Sequence, residues 1–143
     1  MNINFLPGIS STSAALNAER TRLEIVSQNI ANAHVSHGID GKPYQRRVVV
    51  FESCLQNAQN SLAGEQTPTL RVAGIKNDTR PPLSIYQPGH PDADAHGMVA
   101  MPDINVHEEM ADMITATRAY EANLAVVKNA RNMALQTLAI GKR

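Results

Sequence analysis

Apolar residues near the start of the chain recur every seven positions, at Ile9, Leu16, Leu23 and Ile30. Val26 and Ala33 stand three residues after the last two of these, and no Gly or Pro interrupts Ser10 to Ala33. This spacing predicts a helix with one apolar stripe. Ser10, Ser11, Thr12 and Ser13 offer N-caps just after Pro7-Gly8. About 23 residues at 1.5 Å each give a helix of ~35 Å.

The other end repeats the pattern over a greater length. Neither Gly nor Pro occurs from Val106 to Ile140. The seam Val106, Met110, Met113, Thr117, Tyr120, Leu124, Val127, Arg131, Ala134 and Leu138 alternates steps of four and three. Asn105 can cap this segment, with Glu108 three residues on in a capping-box-like relation. Acids gather at its start (Asp103, Glu108, Glu109, Asp112) and bases at its end (Lys128, Arg131, Lys142, Arg143), which complements the helix dipole. The prediction is one helix of roughly 50 Å. Val126 and Ile140 fall off the seam, and a helix that is apolar on more than one side buries more than one side. Leu124, Val127 and Leu138 are expected to bury against the first helix and adjacent subunits.

Between the two, Gly and Pro concentrate and the periodicity shortens. YQRRVVVFE (44–52) and TLRVAGIKN (69–77) read as strands, and LSIYQ (83–87) and GMVAM (97–101) as shorter ones. LQNAQNSLAGEQTP (55–68) reads as a polar loop. The expected class is α+β. Long N- and C-terminal helices pair as a coiled-coil-like assembly domain, with a small β-rich insertion between them. The division is 1–33 for the N-terminal assembly helix, 34–101 for the insertion and 102–143 for the C-terminal helix that pairs with 1–33.

Composition narrows the function. Thirteen basic and thirteen acidic residues give a formal net charge of zero, so no nucleic-acid partner and no anionic membrane surface is implied. Aromatic residues are 3% of the chain and Trp is absent, so a monomer has a thin core and burial is expected to be completed by partners. On the same ground the isolated chain is expected to hold residues 44 to 102 folded and to leave both ends mobile. No apolar run approaches the ~18 residues of a membrane span, so direct membrane insertion is not expected. MNINFLPGIS lacks the basic start and apolar centre of a cleaved secretory signal. Cys54 is the single cysteine; it has no partner for a disulfide and reads as a small apolar residue just after the first strand.

Chemistry finds little purchase. His90, Asp92, Asp94 and His96 are metal-ligand types in close order, but Pro88 and Pro91 keep them off a helix and no second cluster accompanies them. They read as a turn between strands. The zinc-helix pattern that could begin at His107 fails because position 111 is Ala. There is no G-x-S-x-G turn and no phosphate-cradling Gly loop. The expectation is no catalytic residue, no cofactor and no metal.

Two stretches carry a resemblance. SQNIANA (27–33) resembles the Asn-(Leu/Ile)-Ala-Asn signature of bacterial flagellar rod and hook proteins, with Asn29, Ile30, Ala31 and Asn32 at its positions. Residues 86–143, through the run PGHP…A…G…V…MP…N, resemble the proximal-rod branch of that axial family. Met101, Pro102, Asn105, Val106, Glu108, Glu109, Met110 and Met113 take its helix-entry positions; Arg118, Tyr120, Asn123 and Leu138 take positions in its C-terminal helix. Glu121 stands where relatives often carry Gln, and Cys54 is unusual for an exported axial protein.

The resemblance implies a structural subunit of the flagellar basal-body proximal rod that self-assembles helically and transmits torque. It implies partners among other proximal and distal rod subunits, copies of itself, the adaptor between rod and export gate, and the type III export apparatus. It places the protein in the periplasmic part of the rod, exported from the cytoplasm without signal cleavage. The expected assembly interface comprises Leu16, Leu23, Val26, Asn29, Ile30, Asn32, Met110, Met113, Tyr120, Asn123, Leu124, Val127 and Leu138. Asn29 is expected at a crowded helix interface, where an unsatisfied amide penalises wrong register by about 1–3 kcal/mol. Asn32 is expected to end the helix, because Asn tolerates a left-handed turn. The competing class is a soluble helical adaptor or secretion-linked chaperone with a small β insertion, which polymerisation with rod subunits would distinguish.

Overall fold

The computed structural model describes residues 7–38, 40–55 and 68–141; for Pro7, Cys54, Leu55 and Pro68 only the backbone is described. The first helix, α1, spans Pro7–Ala31. It starts three residues earlier than expected because Pro suits the first turn of a helix, where its missing N–H has no partner to lose. The hydroxyls of Ser11 and Thr12 therefore do not cap; they donate back to the Gly8 carbonyl at 3.1 and 2.7 Å. At the far end the Asn32 backbone N–H and side-chain Nδ2 both donate to the Gln28 carbonyl, at 3.0 and 2.7 Å. Asn32 closes the helix in this way, and no non-Gly residue among those described has a positive φ.

Two antiparallel hairpins follow. β1 (Arg47–Leu55) pairs with β2 (Pro68–Asn77), and a register shift between Val50 and Phe51 leaves Ala73 unmatched on β2. Cys54 belongs to β1, opposite Thr69, so the strand runs further than the β-branched cluster alone suggested. β3 (Leu83–Tyr86) pairs with β4 (Met98–Met101). The insertion is thus two separate two-stranded sheets, where a single small sheet was expected. Residues 56–67 of the expected polar loop lie outside the described residues.

The second helix, α2, spans Val106–Ile140, as the Gly/Pro-free run predicted. Asn105 caps it by accepting from the His107 N–H at 3.1 Å, and its Nδ2 donates to Glu108 Oε1 at 3.1 Å. Glu108 therefore supports the cap through its side-chain amide.

The core is small and lies where α1 meets its neighbours. Ala18, Ile25 and Val26 on α1, Ala33 just beyond it, Ala116 on α2 and Val99 on β4 are its buried apolar residues. Most of these belong to the helical layer, and a two-stranded hairpin is at best marginal alone. Of the two hairpins it is β1–β2 that packs against α1, while Val99 of β4 is buried among the connecting segments.

The helices run antiparallel: Asn29 meets Glu109, and Arg22 meets Asp112 seven residues earlier on α1. Extending that register at 1.5 Å per residue carries roughly the last ten residues of α2 past the described start of α1. The face that α2 turns inward is Glu109, Met113, Ala116, Tyr120, Asn123, Val127, Ala130 and Ala134, all buried or half-buried. Met113, Tyr120, Val127 and Ala134 of the predicted seam are there. Four others are displaced by one residue, from Met110, Thr117, Leu124 and Arg131 to Glu109, Ala116, Asn123 and Ala130. Counting hydrophobicity favours Met110 and Leu124; close approach of two helices favours Ala, and Glu109 goes inward because partners await it.

Candidate assembly interface

Two features carry the site: a polar lock inside the chain, and an apolar surface that the lock leaves outside. At the centre of the lock stands Asn29, 1% exposed. Its Nδ2 donates to the Arg47 carbonyl at 2.9 Å and to Glu109 Oε2 at 3.0 Å. Its Oδ1 accepts from the Tyr44 hydroxyl and from the Arg47 N–H, each at 3.0 Å. Two donors and two acceptor sites are the whole capacity of an amide, so Asn29 is satisfied within its own chain.

Glu109, also 1% exposed, gives its second oxygen to Arg46: Nε donates to Oε1 at 2.7 Å and Nη2 lies 2.6 Å from it. Arg46 Nη1 continues to Asp78 Oδ2 at 3.3 Å, Arg80 Nε reaches the same oxygen at 2.9 Å, and Arg80 Nη1 lies 3.4 Å from Asp103. The chain of charges runs from the approach to α2 through the end of β2 and the entry to β1, and back into the first turn of α2. Burial works against the Arg46 cation, but the hydrogen bond and charge of Glu109, joined by Asp78, outweigh it and raise the guanidinium pKa further. The hydrogen bond from the Arg80 side chain holds the Asp78 carboxyl below its usual value. Burial raises the Tyr44 phenol, Arg47 opposes that, and Glu109 adds to it.

From the sequence Glu109 stood as an acid suited to a helix start and as a helix-entry position of the resemblance, not as a buried ion-pair member, and Arg46, Asp78 and Arg80 were missed. The Arg46-Arg47 pair at a strand entry was the available signal, but nothing in the order of residues says which of the two turns inward.

Of the expected interface residues, Val26, Asn29, Met113, Tyr120, Asn123 and Val127 lie on faces turned into the chain, and Leu16, Leu23, Ile30 and Asn32 are half-buried along α1. Met110, Leu124 and Leu138 are 51%, 37% and 64% exposed. Leu124 and Leu138 therefore do not bury against α1, contrary to expectation; only Val127 of that trio does so in part. Ile114, Val126, Met133, Leu135 and Ile140 are likewise exposed along α2. Val126, Met133 and Ile140 are seven residues apart, a separate stripe on the helix. The four metal-type residues at 90–96 occupy turns: Asp94 Oδ1 accepts from the His96 and Met98 N–H groups, and Asp92 accepts from the Ser36 hydroxyl at 2.8 Å.

The helices that form this arrangement are the segments recognised by comparison. Residues 10–36 match the family model "Flagella basal body rod protein", and residues 95–140 match "Flagellar basal body rod FlgEFG protein C-terminal". The flagellar basal-body rod protein FlgC of Yersinia enterocolitica is 40% identical over 129 residues, covering 90% of this chain and 92% of that protein. Those of Borreliella burgdorferi and Bacillus subtilis are 38% and 32% identical, covering 92% and 94% of this chain and 94% and 96% of their own. The chain belongs to the FlgC family of flagellar basal-body rod proteins. As an FlgC-family protein it is a structural rod subunit of the flagellum, located at the basal body. In this subunit the lock ties α1 and α2 to the β1 entry, and the exposed apolar residues of α2 lie outside it.

Proposed function

We propose that this rod subunit belongs to the proximal rod, where it polymerises helically with copies of itself and with related rod subunits and transmits torque as a rigid element. The observation that supports this most is the uncovered apolar surface of α2, from Met110 to Ile140. A monomer that leaves so many large apolar side chains exposed along one helix has surface to bury, and burial is favourable by about 25 cal/mol per Å². The helix continues past the described start of α1. Its place among structural rod proteins accords with the absence of an enzymatic role.

The same reading extends to export through the type III apparatus without signal cleavage, docking on the adaptor between export gate and rod, and residence in the periplasmic section. No helix among the described residues is long and apolar enough to cross a membrane. The test is mixing the purified chain with other rod subunits while raising concentration. Open-ended polymers whose length grows with concentration are the expected result. A closed complex of fixed stoichiometry would favour the adaptor or chaperone class instead.

A further inference from the structure

We propose that Arg46 gates the pairing of α1 with α2, so that the helices close on each other only after the β1 entry has docked. Glu109 lies in the seam between the two helices and is 1% exposed. Among the described residues of the helical layer, its donor is one neutral group, the Asn29 amide at 3.0 Å. Its counter-charge comes from outside that layer, from Arg46 on the segment leading into β1. A carboxylate buried beside one amide, with no cation, makes closure unfavourable.

Arg46 does not arrive alone. Its own carbonyl accepts from the Asp78 N–H at 2.7 Å, and its Nη1 bonds Asp78 at 3.3 Å, so its position depends on the return strand β2 having come back alongside β1. Asn29 imposes the same condition, because two of its hydrogen bonds go to the Arg47 backbone and a third comes from Tyr44. The contrast is Arg22–Asp112, an ion pair made directly between the helices at 2.8 Å. Both its members are partly exposed, so it asks nothing of the insertion. The order is therefore the β1–β2 hairpin docked on α1 first, and α2 closing on α1 second. The assembly surface of α2, which exists only in a defined orientation once the helices have paired, is withheld until the insertion has formed. This sequence of events concerns the single chain and holds or fails independently of whether the subunit builds a rod.

The test uses the full chain carrying Cys54→Ser, with labels at the exposed positions Ser27 and Ala111 to report the distance between α1 and α2. Amide exchange over Val48–Phe51 reports the hairpin separately. Arg46→Met should shift the pairing equilibrium toward open by about a hundredfold, the scale of breaking a buried ion pair, while the hairpin keeps its protection. Glu109→Gln in the Arg46→Met background should restore pairing to within about tenfold of wild type, because it removes the uncompensated charge and keeps an acceptor for Asn29. Arg46→Lys should recover part of it. The proposal is overturned if Glu109→Gln does not rescue Arg46→Met, since Arg46 then acts by packing alone. Loss of hairpin protection in Arg46→Met, or unpaired helices in the parent chain, would overturn it equally.

Discussion

Gly97 sits directly beneath the Tyr86 ring: a methyl group on its Cα would lie 3.0 Å from Tyr86 Cε2 and 3.1 Å from Pro88 Cβ. Its φ of 76° is a left-handed conformation that side chains rarely adopt. The β3–β4 hairpin turns here, with the Gln87 N–H donating to the Gly97 carbonyl at 2.8 Å. Gly97→Ala should therefore destabilise the chain by about 1–3 kcal/mol. Gly89→Ala, where nothing lies within 4 Å and φ is not positive, should be near neutral. Urea midpoints of the two variants make the comparison, and equal midpoints would show that the turn relaxes freely.

The displaced seam of α2 separates folding from assembly. Ala116 is fully buried, and Ala116→Asp should cost several kcal/mol by placing an unpaired charge between the helices. Leu124, 37% exposed in the chain, is different. Leu124→Asp should cost about 1 kcal/mol or less in the monomer and yet abolish polymerisation with other rod subunits. Glu121→Gln, on the exposed side, should be tolerated in both respects. Rods built by Leu124→Asp would put the assembly surface on another face.

Two acids three residues apart on α2 should differ sharply. Asp112 makes a part-exposed pair with Arg22, and Asp112→Ala should cost under about 1 kcal/mol. Glu109→Ala should cost about 3–5 kcal/mol, because it strands the Asn29 donor and opens the buried ion pair with Arg46. Chemical denaturation of both variants in one buffer decides the matter. Similar losses would mean that Glu109 is more hydrated than its surroundings indicate.

Asp78 gives the chain an acid dependence of known sign. Its carboxyl is held below its unfolded value, first by the Arg80 side chain. The stabilisation is therefore present above that unfolded value, about 3.9, and is lost as pH falls through the lower folded value. Asp78→Asn should be less stable than wild type near neutrality, with the gap closing below about pH 4. A gap that persists unchanged to strong acid would assign the loss to packing.

Order along the helices should be graded. Hydrogen exchange should be slowest for α1 around Ala18–Asn29 and for α2 around Glu109–Tyr120, where the buried residues cluster. It should be fastest over residues 131–140, where only Ala134 is even half-buried. Uniform protection along α2 in dilute solution would indicate that its end is already covered by another copy.

How much of this was legible beforehand follows from what each feature depends on. The bounds of α2, its Asn105 cap, the strand segments and the α+β class rest on periodicity, Gly/Pro punctuation and capping chemistry, all of which act between residues close in sequence. They were readable. The resemblance of SQNIANA and of residues 86–143 to flagellar rod proteins was readable for the same reason, being written in local residue order.

What the tertiary structure alone decided is which side of each element faces inward. A one-residue displacement of the α2 seam puts Glu109 and Asn123 inside and leaves Met110 and Leu124 outside, against their hydrophobicity. Only the partners Asn29 and Arg46, 80 and 63 residues away from Glu109, make that burial favourable. The placing of the β1–β2 hairpin is equally non-local, since it packs on α1. Local order determines where helices and strands begin and end; desolvation of a charge is settled only by what folding brings beside it.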